Sequence, residues 1–226
     1  MRNTMKAATI ESKFPLLAVE HDCIISKDAD ITVAFRVDLP ELFTVTSAEY
    51  EAIHSSWAKA IKVLPDYSVI QKQDWFTKEN YKPETDKEDM SFLSRSFERH
   101  FNERPFLNHT CFLYLTKTTK ERQRMQSNFS SLCRGNIIPK EVDKETTVKF
   151  LEAVGQFERI VNDSGFVKLT RLTSDEITGT PESAGLIEKY FALSLEDTTC
   201  LEDLELGADG LRVGDKHICV HTVSDV

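Results

Sequence analysis

No run of apolar residues in this chain approaches the roughly 20 that a membrane-spanning helix needs. The first apolar stretch, Phe14 to Val19, is too short for a secretory signal core, and charge follows it. Glycine and proline are scarce, at 8 and 7 of 226 residues, which excludes collagenous and low-complexity chains. No Cys-x-x-Cys pair occurs, and the five cysteines are an odd count that suits a reducing compartment better than a disulfide framework. Sequons begin at Asn108, Asn128 and Asn162, and nothing else in the sequence points to a glycosylating route. Phosphate-binding loops are missing as well. The nearest decoys, Gly207-Ala208-Asp209-Gly210 and Gly210 to Lys216, have the wrong spacing, and Asp215 would repel a phosphate. There is no Gly-x-Gly-x-x-Gly.

What is present fits a folded chain with a real core. Hydrophobic residues make up 40% and charged residues 29%. The formal net charge of −9 argues against direct nucleic-acid binding over the whole surface.

The clearest strand signal is Ile31 to Leu39, where Ile31, Val33, Phe35, Val37 and Leu39 alternate with mostly polar neighbours. Before it, residues 14–25 read as an extended pair broken at His21-Asp22. After it, Thr46 and Glu49 stand in the spacing of a capping box, ahead of Tyr50, Ile53, Trp57, Ile61 and Leu64 at helical intervals. Pro65-Asp66 stops that helix, and Tyr67–Trp75 reads as a strand. Residues 77–89 read as a polar loop. Met90, Leu93, Phe97 and Phe101 define another helix ending near Pro105, and Asn108–Lys117 reads as a central strand with apolar residues on both faces.

Farther on, 143–163 reads as a long amphipathic helix, with Gly155 inside it suggesting a close packing contact. Asp163-Ser164-Gly165 stops it. A strand at Phe166–Leu172 and a helix within Pro181–Leu195 follow. The last segments read as strands: Cys200–Leu206, Leu211–Val213 and His217–Val223, with Gly214-Asp215 turning the final pair. Helices placed between strands that share one sheet imply an α+β fold. The expected architecture is a two-layer α/β sandwich, a ferredoxin-like type of sheet with helices packed on it, plus a C-terminal β-hairpin region. Residues 1–118 form the expected N-terminal α/β subdomain, and 119–226 a second α/β part packed on the first or continuous with it.

Candidate sites are few. His217, Cys219 and His221 share a face if they alternate along a strand. The outer two would then lie roughly 13 Å apart, too far for one zinc ion with ligands at about 2.0–2.3 Å. His21-Asp22-Cys23 resembles a fragment of a nucleophile pair, yet strand neighbours point to opposite faces. Acidic residues Glu196, Asp197, Glu202, Asp203, Glu205 and Asp209 read as a solvated edge, without calcium-loop spacing. Between Thr116 and Lys140, Lys117, Lys120, Arg122, Arg124, Arg134 and Lys140 stand against Glu121 alone. This basic segment reads either as a solvated loop or as a contact patch for an acidic partner, lipid head groups or nucleic acid. Its candidate contact residues are Lys117, Lys120, Arg122, Arg124 and Arg134. No catalytic, cofactor-binding or metal residue is assigned, and the chain is expected not to be an enzyme.

Several phrases resemble a known family: Lys117-Thr118-Thr119-Lys120-Glu121-Arg122, Ser127-Asn128-Phe129-Ser130-Ser131-Leu132, Phe157-Glu158-Arg159, Phe166-Val167-Lys168-Leu169-Thr170 and the early Lys13-Phe14-Pro15-Leu16-Leu17. With them, nearly the whole chain is similar to the N-terminal region of TraG-type conjugation ATPases of Bacteroides conjugative transposons. The resemblance implies a longer parent whose motor domain binds ATP and magnesium and drives DNA transfer through a type IV secretion apparatus. The end of the chain just after a strand fits a cut before that motor. A docking or scaffolding role follows, on the cytoplasmic side and peripheral to the inner membrane through partners. Those partners would be inner-membrane components of the conjugation channel or other subunits of the ATPase. The alternative is a nucleic-acid-contacting module that uses residues 117–140.

Overall fold

The computed structural model describes residues 14–40, 45–81, 91–118, 144–196, 203–207 and 210–222. The fold is α+β: mixed helices with antiparallel sheets. Its chain falls into two compact units, each assembled from separated segments: 1–72 with 112–177, and 73–111 with 178–226. The boundary expected at 118/119 opens onto 119–143, outside the described residues.

In the first unit, β1 (Leu16–Glu20) and β2 (Cys23–Ser26) form a hairpin. Its two-residue turn, His21-Asp22, has φ of 53° and 59°, so both residues are left-handed as a primed turn demands. Strand β3 (Ile31–Asp38) is paired by β2 at Ile31 and Thr32 and by β6 (Lys168–Arg171) along Phe35–Asp38. The alternation expected of β3 is only half the pattern. Ala34, on the supposedly polar face, is as fully buried as Val33 and Phe35, because this strand is covered on both sides.

The six-stranded sheet continues from β3 to β5 (Pro105–Lys117) and then β4 (Ser68–Asn80). Thr118 donates its N–H to Tyr67 O at one end, while His109 meets Asp74 farther along, so β4 and β5 run antiparallel. Both strands exceed their expected lengths. The supposed loop from residue 77 is strand as far as Asn80. Pro105 does not merely stop a helix but opens β5, a position where its missing N–H costs no ladder bond.

Helix α1 (Ser47–Val63) begins as the sequence predicts, with Thr46 Oγ1 accepting from Glu49 N and the Glu49 carboxylate accepting from Thr46 N at 2.7 Å. Helix α3 (Lys144–Asp163) buries Phe150, Val154, Phe157 and Val161 along one stripe and packs on α1 and β6. Trp57 of α1 meets Phe157 edge-on at 5.7 Å between ring centroids. The end of α3 is clamped to β6 by Asn162, whose amide both donates to Leu169 O and accepts from Leu169 N. Gly155 holds no close packing contact: a methyl group there would meet nothing within 4 Å.

In the second unit, a β7–β8 hairpin (Gly179–Thr180, Ser183–Ala184) leads into a short helix, Leu186–Ala192. The short helix Ser174–Thr178, which belongs to the first unit as far as Ile177, has no counterpart in the sequence reading. A three-stranded meander follows: β9 (Leu204–Gly207), β10 (Gly210–Val213) and β11 (Lys216–Ile218). The hairpin turn at Gly214-Asp215 lies where the sequence puts it. Lys216 Nζ donates to Ala192 O at 2.8 Å, a cation on the C-terminal carbonyls of the short helix.

Candidate docking surface

The segment between β4 and β5 carries α2 (Phe92–Asn102), in the second unit. Its start is local chemistry. Ser91 Oγ accepts from Ser94 N at 3.2 Å, satisfying one of the free N–H groups of the first turn. Its end is also local, since Glu103 N donates to Arg99 O and Pro105 disfavours helix at Arg104. Arg99 and His100 in the last turn suit the negative end of the dipole.

Leu93, Phe97 and Phe101 recur at i, i+4 and i+8, one row along one face. In a surface helix such a row is expected to face the core. Here it does not: Phe92 is 86% exposed, Leu93 78%, Phe97 62% and Phe101 44%. No residue of α2 is buried, and the least exposed is the carboxylate-bearing Glu98, whose Oε2 is enclosed without a hydrogen-bond partner. The Phe97 and Phe101 rings lie 4.5 Å apart, and His100 meets Phe101 edge-on at 5.5 Å between ring centroids. Phe106 and Leu107, just beyond on β5, and Phe76 on β4 are exposed as well. Single exposed apolar residues are ordinary, but a group of this size in one segment makes it the candidate for an interaction surface.

The residues that the sequence singles out are placed differently. Lys117 is half-buried, donates through Nζ to Asp66 O, and lies 5.3 Å from the centroid of the Tyr67 ring. Burial holds its ammonium below the usual lysine range, with Asp66 opposing the shift. Lys120, Arg122, Arg124 and Arg134 lie outside the described residues.

His21-Asp22-Cys23 forms a latch. Asp22 Oδ1 accepts from Ser174 N at 2.6 Å and from Ser174 Oγ at 3.0 Å, while Asp22 N donates back to Ser174 Oγ. These bonds, led by the backbone one, hold the Asp22 carboxyl below its ordinary range. Arg171 Nη2 donates to His21 O and reaches Cys23 Sγ at 3.4 Å. Burial nevertheless pushes the Cys23 thiol up, against the opposing pull of Arg171. The two partners of this latch, 152 residues apart, have no signal in the sequence.

The C-terminal histidines do not share a strand face, because β11 ends at Ile218. Instead Cys219 Sγ and His221 Nε2 approach to 3.3 Å beyond the strand. Among the described residues, no group of three His, Cys, Asp or Glu side chains is placed to hold a metal ion. No described helix is long and apolar enough to cross a membrane.

Residues 3–55 match the family model DUF3875, described as a domain of unknown function, B. Theta gene description. The matched stretch includes β1 to β3 and the first part of α1, and stops well before α2. No curated protein matches the chain.

Proposed function

We propose that this chain is a non-catalytic docking and scaffolding domain from the N-terminal region of a TraG-type conjugation ATPase. The observation that carries the docking role is the outward Leu93–Phe97–Phe101 row of α2, apolar surface that water leaves unsatisfied and a binding partner would cover. The resemblance of phrases spread along the sequence supports the choice of family. So does the B. Theta gene behind the family model that matches residues 3–55, since the transposons in question are those of Bacteroides. In this reading the motor chemistry, with its ATP and magnesium, belongs to the parent protein. The domain holds that motor at inner-membrane components of the conjugation channel, on the cytoplasmic side. The nucleic-acid reading has less support, since Lys117 is engaged within its own unit and the net charge is −9.

The test is retention of detergent-solubilised channel subunits on the immobilised domain. Specific retention of one subunit is expected. If none is retained while the full-length ATPase retains the same subunits, the docking role is wrong.

A further inference from the structure

Strand β4 stands last in the six-stranded sheet, so its outer edge meets no other described strand. Which residues present their backbone there follows from the pairing with β5. Thr118 N donates to Tyr67 O, which makes these two a hydrogen-bonded pair. Nine residues farther along β4 and nine back along β5 stand Phe76 and His109. The odd interval makes theirs a non-hydrogen-bonded pair, in which side chains lie closest, and the two rings do stack at 4.7 Å between centroids. The N–H and C=O of Phe76 therefore turn away from β5, toward the outer edge, and those of Asp74 and Lys78 turn with them. Asp74, Phe76, Lys78 and Asn80 also share one face, and all four are exposed. Trp75, on the other face, meets Tyr190.

We infer that β4 pairs edge to edge with β4 of a second copy of the chain, antiparallel about a two-fold axis at Phe76. In that register Asp74 of each copy stands opposite Lys78 of the other, and Phe76 opposite Phe76. Gln73 falls opposite Glu79 and Trp75 opposite Thr77, so no like charges meet. Opposite charges facing across a strand pair favour it, and like charges oppose it. An axis at Asp74 or at Lys78 sets like charges against each other, and an axis at Trp75 or Thr77 parts Asp74 from Lys78. An axis at Gln73 joins Asp74 to Lys72 but leaves Lys78 opposite Ser68, so Lys78 tells that register from this one. Asp74 Oδ1 already meets His109 Nε2 at 2.8 Å, and a carboxylate has lone pairs enough for a lysine as well. The stacked Phe76 and His109 of the two copies would form one row of four rings. Lysine on a sheet edge ordinarily keeps other strands away. Here Asp74 stands where the two-fold brings Lys78, so the edge refuses other strands and admits its own copy, the self-complementarity that a two-fold interface requires. The inference goes beyond the docking reading and does not rest on it, since the α2 row takes no part.

The experiment is sedimentation equilibrium of the whole chain from micromolar to near-millimolar concentration, where a dimer is expected. Lys78→Asp should weaken it roughly tenfold, because two charge pairs turn repulsive. Asp74→Lys combined with Lys78→Asp should restore it, with far-UV circular dichroism confirming that both variants stay folded. A second measurement does not depend on charge. On mild oxidation Phe76→Cys should form a disulfide between copies, located by peptide mapping against the chain's own cysteines. Its Cα atoms would lie about 5.5 Å apart at the axis, within the roughly 4.4–6.8 Å that a disulfide spans. Lys78→Cys should form none, since the two copies of that position lie roughly 13 Å apart. The inference is overturned if the chain stays monomeric throughout, if Lys78→Asp leaves the dimer unchanged, or if the folded double variant stays weakened. It is also overturned if Phe76→Cys cross-links no more readily than Lys78→Cys. A dimer that Phe97→Asp dissolves and Lys78→Asp spares would put the interface on α2 and overturn it too. Retention of a channel subunit is read separately: its loss with the dimer intact removes docking alone, and the reverse removes strand pairing alone.

Discussion

Two phenylalanines on amphipathic helices should respond to truncation in opposite ways. Phe157 is fully buried between α3 and α1, and its ring stacks edge-on with Trp57. Phe157→Ala removes the transfer free energy of the ring and leaves a cavity that the helix pair fills only partly. Such replacements cost about 3–5 kcal/mol, of which an edge-to-face ring pair accounts for about 0.5–1.5. Phe97 is 62% exposed, so little more than a third of its surface leaves water on folding. At about 25 cal/mol per Å² that is at most about 2 kcal/mol, an upper bound because the unfolded chain also hides some of it. The loss at Phe157 should thus exceed that at Phe97 by at least about 1 kcal/mol. Urea unfolding followed by circular dichroism measures it, with Trp57 fluorescence reporting the Phe157 side. Trp75, which meets Tyr190 at 6.4 Å, reports the second unit. Equal losses at the two positions, or a larger loss for Phe97→Ala, would refute the outward placement of the α2 row.

Three further outcomes follow from local geometry. The Asp22 carboxyl is held below its unfolded value of about 3.9, so its latch contributes stability above that pH, and the contribution fades as pH falls through the lower folded value. Asp22→Asn should flatten the acid limb of a stability–pH curve, and an unchanged limb would rule the latch out as its source. Gly179 has φ of +92°, and an added Cβ would sit 2.6 Å from Glu188 Oε2 and 2.7 Å from Gly185 N. Gly179→Ala should therefore destabilise by at least about 1–2 kcal/mol, while Gly155→Ala, in open space within α3, should stabilise by up to about 1 kcal/mol; thermal unfolding of both variants tests the contrast. Brief alkylation of the native protein followed by peptide mapping should label exposed Cys219 and spare buried Cys23 and Cys111, and early labelling of Cys23 would contradict its raised thiol.

Features that depend on a few adjacent residues are legible in the sequence. The Thr46–Glu49 box, the Gly165 stop and the Gly214-Asp215 turn are of this kind, and each lies where the sequence puts it. The α+β class is legible too, because strand and helix periods differ. Boundaries are less so: β4 runs on through Thr77–Asn80 despite their polarity, since pairing with β5 decides where a strand ends.

The direction of an apolar face is a different kind of property. Phe97 and Phe157 sit in similar helical patterns, and periodicity says only that a face exists. Which neighbour covers it depends on residues brought from elsewhere in the chain. Trp57 covers Phe157, and none of the described elements covers the α2 row to a comparable degree. The Asp22–Ser174 latch joins positions 152 residues apart. Composition and spacing by themselves determined the fold class, the caps and turns, and a net charge of −9. Tertiary structure alone decided that Cys23 is enclosed, that Lys117 is engaged, and that the phenylalanines of α2 face outward, because burial is settled by which surfaces meet and not by the order of residues along one of them.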